Sequence, residues 1–142
     1  MIRTERRMRL CCALLIGLLV FIWGNSMLPG EISQAFSDWV KSFLFSGEGS
    51  GGQGSGLLRK IAHFTEFAAL GMLLGWLFGM LRKGKLLPFC AGCAAACMDE
   101  TIQFFVPGRS PGLKDVAIDS CGVLAGLILL WIGHTCMKKR ST

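Results

Sequence analysis

Four apolar stretches separated by short polar segments organise the chain, at residues 10–28, 61–81, 86–106 and 116–132. Each approaches the ~20 residues a helix needs to cross hydrocarbon. Pro88 falls in the first turn of the third, where a missing N–H is tolerated. After the first stretch, apolar residues recur at Ile32, Ala35, Phe36, Trp39, Val40, Phe43 and Leu44, with Ser33, Asp38 and Lys41 off the stripe. That spacing predicts a short amphipathic helix over residues 32–45, lying in a membrane interface or packed on the mouth of a bundle. The segment GEGSGGQGSG, residues 47–56, reads as a flexible linker. The predicted fold is all-α: a single membrane domain over residues 1–142, with four transmembrane helices and a short amphipathic helix in the first outer loop.

Composition agrees with lipid as the solvent. The 142 residues are 52% hydrophobic, with mean hydropathy +0.53 and no tyrosine, more apolar than a soluble domain of this size. The formal charge of +6 raises the question of nucleic acid. The basic residues do not alternate with aromatics, however; they cluster beside apolar runs, so no nucleic-acid partner is expected. Arg3, Arg6, Arg7 and Arg9 precede the first span, Arg82, Lys83 and Lys85 separate the second and third, and Lys138, Lys139 and Arg140 follow the fourth. Four crossings put all three clusters on one side. The positive-inside rule makes that side cytoplasmic and places both termini there. The first span also has the outline of a secretory signal peptide, but it lacks an A-x-A-like site and reads as an uncleaved helix.

The seven cysteines lie in or beside apolar spans. Cys90, Cys93 and Cys97 share a helix face among alanines and Gly92, and Gly122 and Gly126 make a similar face on the fourth helix. Small residues of this kind let membrane helices approach closely, within the chain or in a homo-oligomer. No compact metal motif is present, and neither metal nor cofactor is expected.

Ionisable residues within the spans are another matter. A charge in hydrocarbon is costly and normally faces a protein interior or a water-filled cavity. Lys60, His63 and Glu66 begin the second span; Asp99, Glu100 and Gln103 end the third; Asp115 and Asp119 begin the fourth; Arg109 sits between the last two. Asn25 and Ser26 close the first span at the same level. Four segments thus deliver polar groups to one outer layer. Structural roles are available for several of them. His63 and Glu66 can form a hydrogen-bonding pair, Arg109 can clamp Glu100, Asp115 can cap the fourth helix, and Asp99 can be a wet rim residue.

The stretch KIAHFTEFAALG at residues 60–71, with DETIQFFVPGRSPGLKDVAIDSCG at residues 99–122, resembles the VanZ-like family of small bacterial membrane proteins. That family is named for an accessory protein linked to teicoplanin resistance. The resemblance covers the last three spans and implies Lys60, His63, Glu66, Glu100, Gln103, Arg109 and Asp115 as matching positions; at Asp119 the family pattern leads one to expect Asn. It implies a multi-pass protein of the bacterial plasma membrane but supplies no reaction.

Three functions follow. The first is binding of a lipid headgroup, cell-wall precursor or amphipathic drug at an outer-leaflet site of Lys60, His63, Glu66, Glu100, Gln103, Arg109, Asp115 and Asp119, with a contribution to glycopeptide resistance. The second is a membrane enzyme acting on a lipid-linked phosphate or amide. There His63 is the acid/base, Glu66 or Glu100 orients it, and Arg109 stabilises charge. The third is proton-coupled transport, for which four spans are few. The partner in each case is a membrane lipid or a lipid-linked envelope component.

Overall fold

A computed structural model of the chain describes residues 2–44, 53–84 and 86–140. Each apolar stretch forms a helix, and most of these extend beyond the apolar run. The described residues form α1 (Ile2–Ser26), α2 (Gly30–Leu44), α3 (Gln53–Met80), α4 (Leu87–Phe104) and α5 (Leu113–Arg140), with no strand. Residues 47–52 of the predicted linker lie outside the described residues. Residues 53–56 are helical and open α3, which begins about two turns before the apolar run at Ile61.

Three of these helices are long and apolar enough to cross a membrane, over Thr4–Ser26, Gly56–Met80 and Leu113–Lys139. The fourth predicted span does not meet that description. Helix α4 has 18 residues and carries Asp99, Glu100 and Gln103 in its last turns. Those three side chains are buried against neighbouring elements, while Phe104 beside them is exposed.

The interior follows one stripe per helix. On α3 it runs through His63, Phe67, Leu70 and Leu74; on α4 through Gly92, Ala96, Asp99 and Gln103; on α5 through Asp119, Gly122, Val123 and Gly126. Helix α1 contributes Cys11, Ile22 and Ser26. Each stripe keeps one face of a helix toward the bundle and passes from apolar residues at one end to polar ones at the other. On the opposite faces Leu14, Ile16, Val20, Phe21, Leu124, Ile128, Leu129 and Trp131 are exposed. Such faces suit hydrocarbon and are unfavourable in water.

Helices α3 and α5 cross most closely. A Cβ at Gly122 would meet the Phe64 carbonyl, one at Gly126 the Ala68 carbonyl, and one at Gly71 the Val123 carbonyl. The small-residue face of α5 is therefore filled by α3 within the same chain. On α4, Gly92 packs against Val123, while Cys90 and Cys97 face outward. The packing face expected of the cysteines is instead the adjacent line of Gly92 and Ala96.

These pairings fix the helix directions. Residues 64–75 of α3 meet residues 122–130 of α5 in the same order, so the two run parallel. Cys11, early in α1, reaches the Leu73 carbonyl late in α3, and Glu100, late in α4, reaches Gly112 just before α5. Helices α1 and α4 therefore run the opposite way. The start of α1, the α3–α4 turn and the end of α5, with their basic residues, share one end of the bundle; the polar ends of the stripes share the other. At the α3–α4 turn Arg82 adopts φ 51°, its N–H bonding Gly79 and that of Lys83 bonding Phe78. This is a Schellman ending with arginine where glycine is usual.

Helix α2 matches the amphipathic prediction in place but turns its stripe outward. Ile32, Phe36 and Trp39 are 55%, 64% and 63% exposed, whereas Ser33 and Ser37 are buried. Ser37 satisfies its buried hydroxyl by donating to the Ser33 carbonyl. Helix α2 is therefore packed on the bundle, against α3, but through its Ser33 and Ser37 face and not its apolar stripe. Phe45 and the side chains of Phe43 and Leu44 lie outside the described residues.

Candidate functional site

The polar ends of the three inner stripes converge on His63. Its Nδ1 lies 3.7 Å from Asp99 Oδ2 and 3.8 Å from Asp119 Oδ1. Gln103, one turn beyond Asp99, donates from Nε2 to Asp99 Oδ2 at 2.8 Å and to Ser26 Oγ at 3.3 Å. Four helices thus contribute to one hydrogen-bonded and electrostatic cluster. Ser26 and Asp99 are fully buried, and Asp119 nearly so. Among the described residues, Asp99 Oδ1 and both oxygens of Asp119 accept no hydrogen bond.

The segment joining α4 to α5 locks this end of the bundle. Gly108 has φ 73°, a left-handed conformation that glycine adopts without strain. It turns the chain so that the Pro107 carbonyl accepts from the Gly30 N–H at 3.1 Å. Arg109 then reaches back to the end of α1, donating from Nε to the Leu28 carbonyl at 3.1 Å and from Nη2 to the Asn25 carbonyl at 3.0 Å. Asn25 lies in the last turn of α1, where carbonyls carry partial negative charge, and Leu28 lies in the turn that follows; a buried guanidinium is well suited to both carbonyls. Desolvation lowers the Arg109 pKa from its ordinary value, yet arginine stays a cation. Glu100 does not pair with it through a hydrogen bond; its Oε2 accepts the Gly112 N–H at 2.9 Å. The expected Arg109 clamp on Glu100 is replaced by an arginine cap on α1 and a carboxylate anchor for the loop.

Beside the cluster lies a narrow cleft lined by Arg59, Lys60, His63, Glu100, Gln103, Asp115, Ile118 and Asp119. Its free space is about 10 Å³, room for one water or one ion. Glu100 also borders a wider, mostly apolar groove with Phe104, Phe105, Leu113 and Val116. A charged cleft and an apolar groove therefore share one carboxylate.

Of the predicted residues, the cleft gathers Lys60, His63, Glu100, Gln103, Asp115 and Asp119. Arg109 acts one layer away through backbone carbonyls. Glu66 stands apart: it is half-buried, its Oε2 accepts no hydrogen bond, and His63 faces Asp99 and Asp119 instead. The expected His63–Glu66 pair does not form. Asp99, expected at a wet rim, is fully buried in the centre. Arg59 joins the cleft without having been expected there. Asp99 is recognisable from its place on the interior line of Gly92, Ala96 and Gln103; Arg59 carries no comparable signal beyond its neighbour Lys60.

An all-α bundle with three membrane-compatible helices and a buried interhelical polar site defines the class of protein. The VanZ/LLP1 family model matches residues 11–134, and the chain belongs to that family. No curated protein and no solved structure gives a match.

Proposed function

We propose that the chain crosses the bacterial plasma membrane four times, with cytoplasmic termini, and binds an amphipathic envelope molecule at its polar end. The molecule is a lipid or lipid-linked wall precursor with a charged headgroup. The observation that carries this reading is the junction at Glu100, where the charged cleft meets the apolar groove. A headgroup is too large for the cleft's interior and docks at its mouth, where Lys60 is exposed and Arg59 partly so. The groove then takes the first part of an acyl or polyprenyl chain.

The four-span arrangement is supported by packing. Helix α4 contacts α1, α3 and α5, and its 18 residues rise about 27 Å, close to the ~30 Å hydrocarbon thickness. The three basic helix ends lie together, as cytoplasmic clusters do. The outward stripe of α2 then rests in the outer interface, with Phe36 stacked on Trp39.

The test uses Lys60→Ala and Glu100→Gln; glutamine retains an acceptor for the Gly112 N–H. Native mass spectrometry of lipids copurified with each variant, and teicoplanin susceptibility of a host expressing it, should both change relative to wild type. An unchanged lipid complement with unchanged susceptibility in both variants overturns the reading. Accumulation of a chemically altered lipid with the wild type alone replaces it with the enzyme reading.

A further inference from the structure

We propose that His63, Asp99 and Asp119 bind a divalent transition-metal cation of the manganese–zinc class. The residues come from α3, α4 and α5, so no short motif in the sequence joins them. One ligand atom from each lies within 4.8 Å of the other two. The spacing itself argues for an ion. At 3.7 and 3.8 Å the imidazole nitrogen is beyond hydrogen-bonding distance of either carboxylate. Two ligands each about 2.1 Å from a tetrahedral ion are separated by roughly 3.4 Å, so the imidazole stands within a few tenths of an ångström of the required distance from each carboxylate. The ion would draw in the two carboxylates, which lie within 4.8 Å of each other.

The unfilled valences point the same way. Among the described residues, Asp119 is 1% exposed and neither of its oxygens accepts a hydrogen bond; Asp99 is 0% exposed, its Oδ2 accepts only from Gln103 and its Oδ1 accepts none. Among the described residues no lysine or arginine forms an ion pair with either carboxylate. Two buried carboxylates with a neutral imidazole offer two negative charges, which a divalent cation balances. One nitrogen and two oxygen donors suit manganese or zinc better than soft thiolate-loving ions. Gln103, donating to Asp99 Oδ2 and reaching Ser26, holds the carboxylate as an outer-shell group holds a ligand. The adjoining cleft has room for one water on the ion, and Glu100 and Asp115 line the approach.

The full chain, purified in detergent and stripped with a chelator, is titrated with Mn²⁺ by electron paramagnetic resonance and with Zn²⁺ by calorimetry. One ion per chain is expected, with spin-echo modulation from an imidazole nitrogen. His63→Gln abolishes that modulation while His134→Gln retains it. Asp119→Asn weakens binding at least about tenfold, and Gln103→Ala weakens it about 10- to 100-fold. Affinity unchanged by Asp119→Asn, or binding that disappears when Cys90, Cys93 and Cys97 are replaced by Ser, overturns the site. If Asp119→Asn does not fold, the wild type decides alone: no stoichiometric Mn²⁺, or Mn²⁺ without nitrogen coupling, overturns it equally. The inference stands apart from the headgroup reading, because Lys60→Ala leaves all three ligands intact and tests only the latter.

Discussion

Arg109 shows how a single side chain can shape a site without entering it. Its two hydrogen bonds hold the Asn25 carbonyl in the last turn of α1 and the Leu28 carbonyl in the turn that follows, and with the Gly30–Pro107 bond they join the α4–α5 loop to the α1–α2 turn. Ser26, which accepts from Gln103, ends α1 immediately beside those carbonyls. Truncating Arg109 to Ala removes two charge-assisted bonds from a buried position and should cost about 3 kcal/mol. Arg109→Lys should recover little, because an ammonium cannot present the same fork. Thermal unfolding of both variants in detergent measures this; a Lys variant as stable as wild type contradicts the forked cap. Residue types were readable from the sequence, but partners were not. Arginine near glutamate suggests a salt bridge, and only the fold shows that the Asn25 and Leu28 carbonyls take the guanidinium instead. Likewise His63 has Glu66 three residues away in sequence, yet its partners are Asp99 and Asp119, delivered by other helices.

Helix existence was legible because each apolar run exceeds the length of a typical core helix. Helix ends were less so. Hydropathy marks where the lipid-facing part stops, whereas the backbone continues through Arg6, Arg7 and Arg9 in α1 and from Gln53 in α3. The small residues on α5 were legible as a packing face, but not their partner. That face is the α3 crossing, where the glycine positions adjoin backbone carbonyls rather than yielding side chains. Gly126→Val therefore forces the two helices apart and should destabilise the bundle by about 3 kcal/mol or more. Gly133 provides the contrast, since a Cβ there would meet nothing within 4 Å. Gly133→Ala should be neutral or slightly stabilising by helix propensity. Unfolding midpoints of the two variants measured side by side check the pair. Equal loss in both would mean that α5 is sensitive everywhere and that the crossing is not special.

At the scale of the whole molecule, two gradients run along one axis. Basic residues gather at the end formed by the start of α1, the α3–α4 turn and the end of α5. The His63 cluster, the Arg109 cap and the outward stripe of α2 occupy the other. Parallel α3 and α5 with antiparallel α1 and α4 produce this segregation, and the proposed fourth crossing by α4 puts the two ends on opposite sides of a membrane. Were α4 to lie outside the membrane, the α3–α4 turn and the α4–α5 loop would share a side, and Arg82 would sit with Arg109. A periplasm-active reporter fused after Ser46 should therefore be active, and the same reporter after Lys83 inactive. A fusion after Arg140 should be inactive as well, since three crossings would reverse its side relative to the start of α1. The third fusion separates the two counts: activity there, with the Lys83 fusion unchanged, leaves three crossings and removes α4 as a span, whereas inactivity at both supports four.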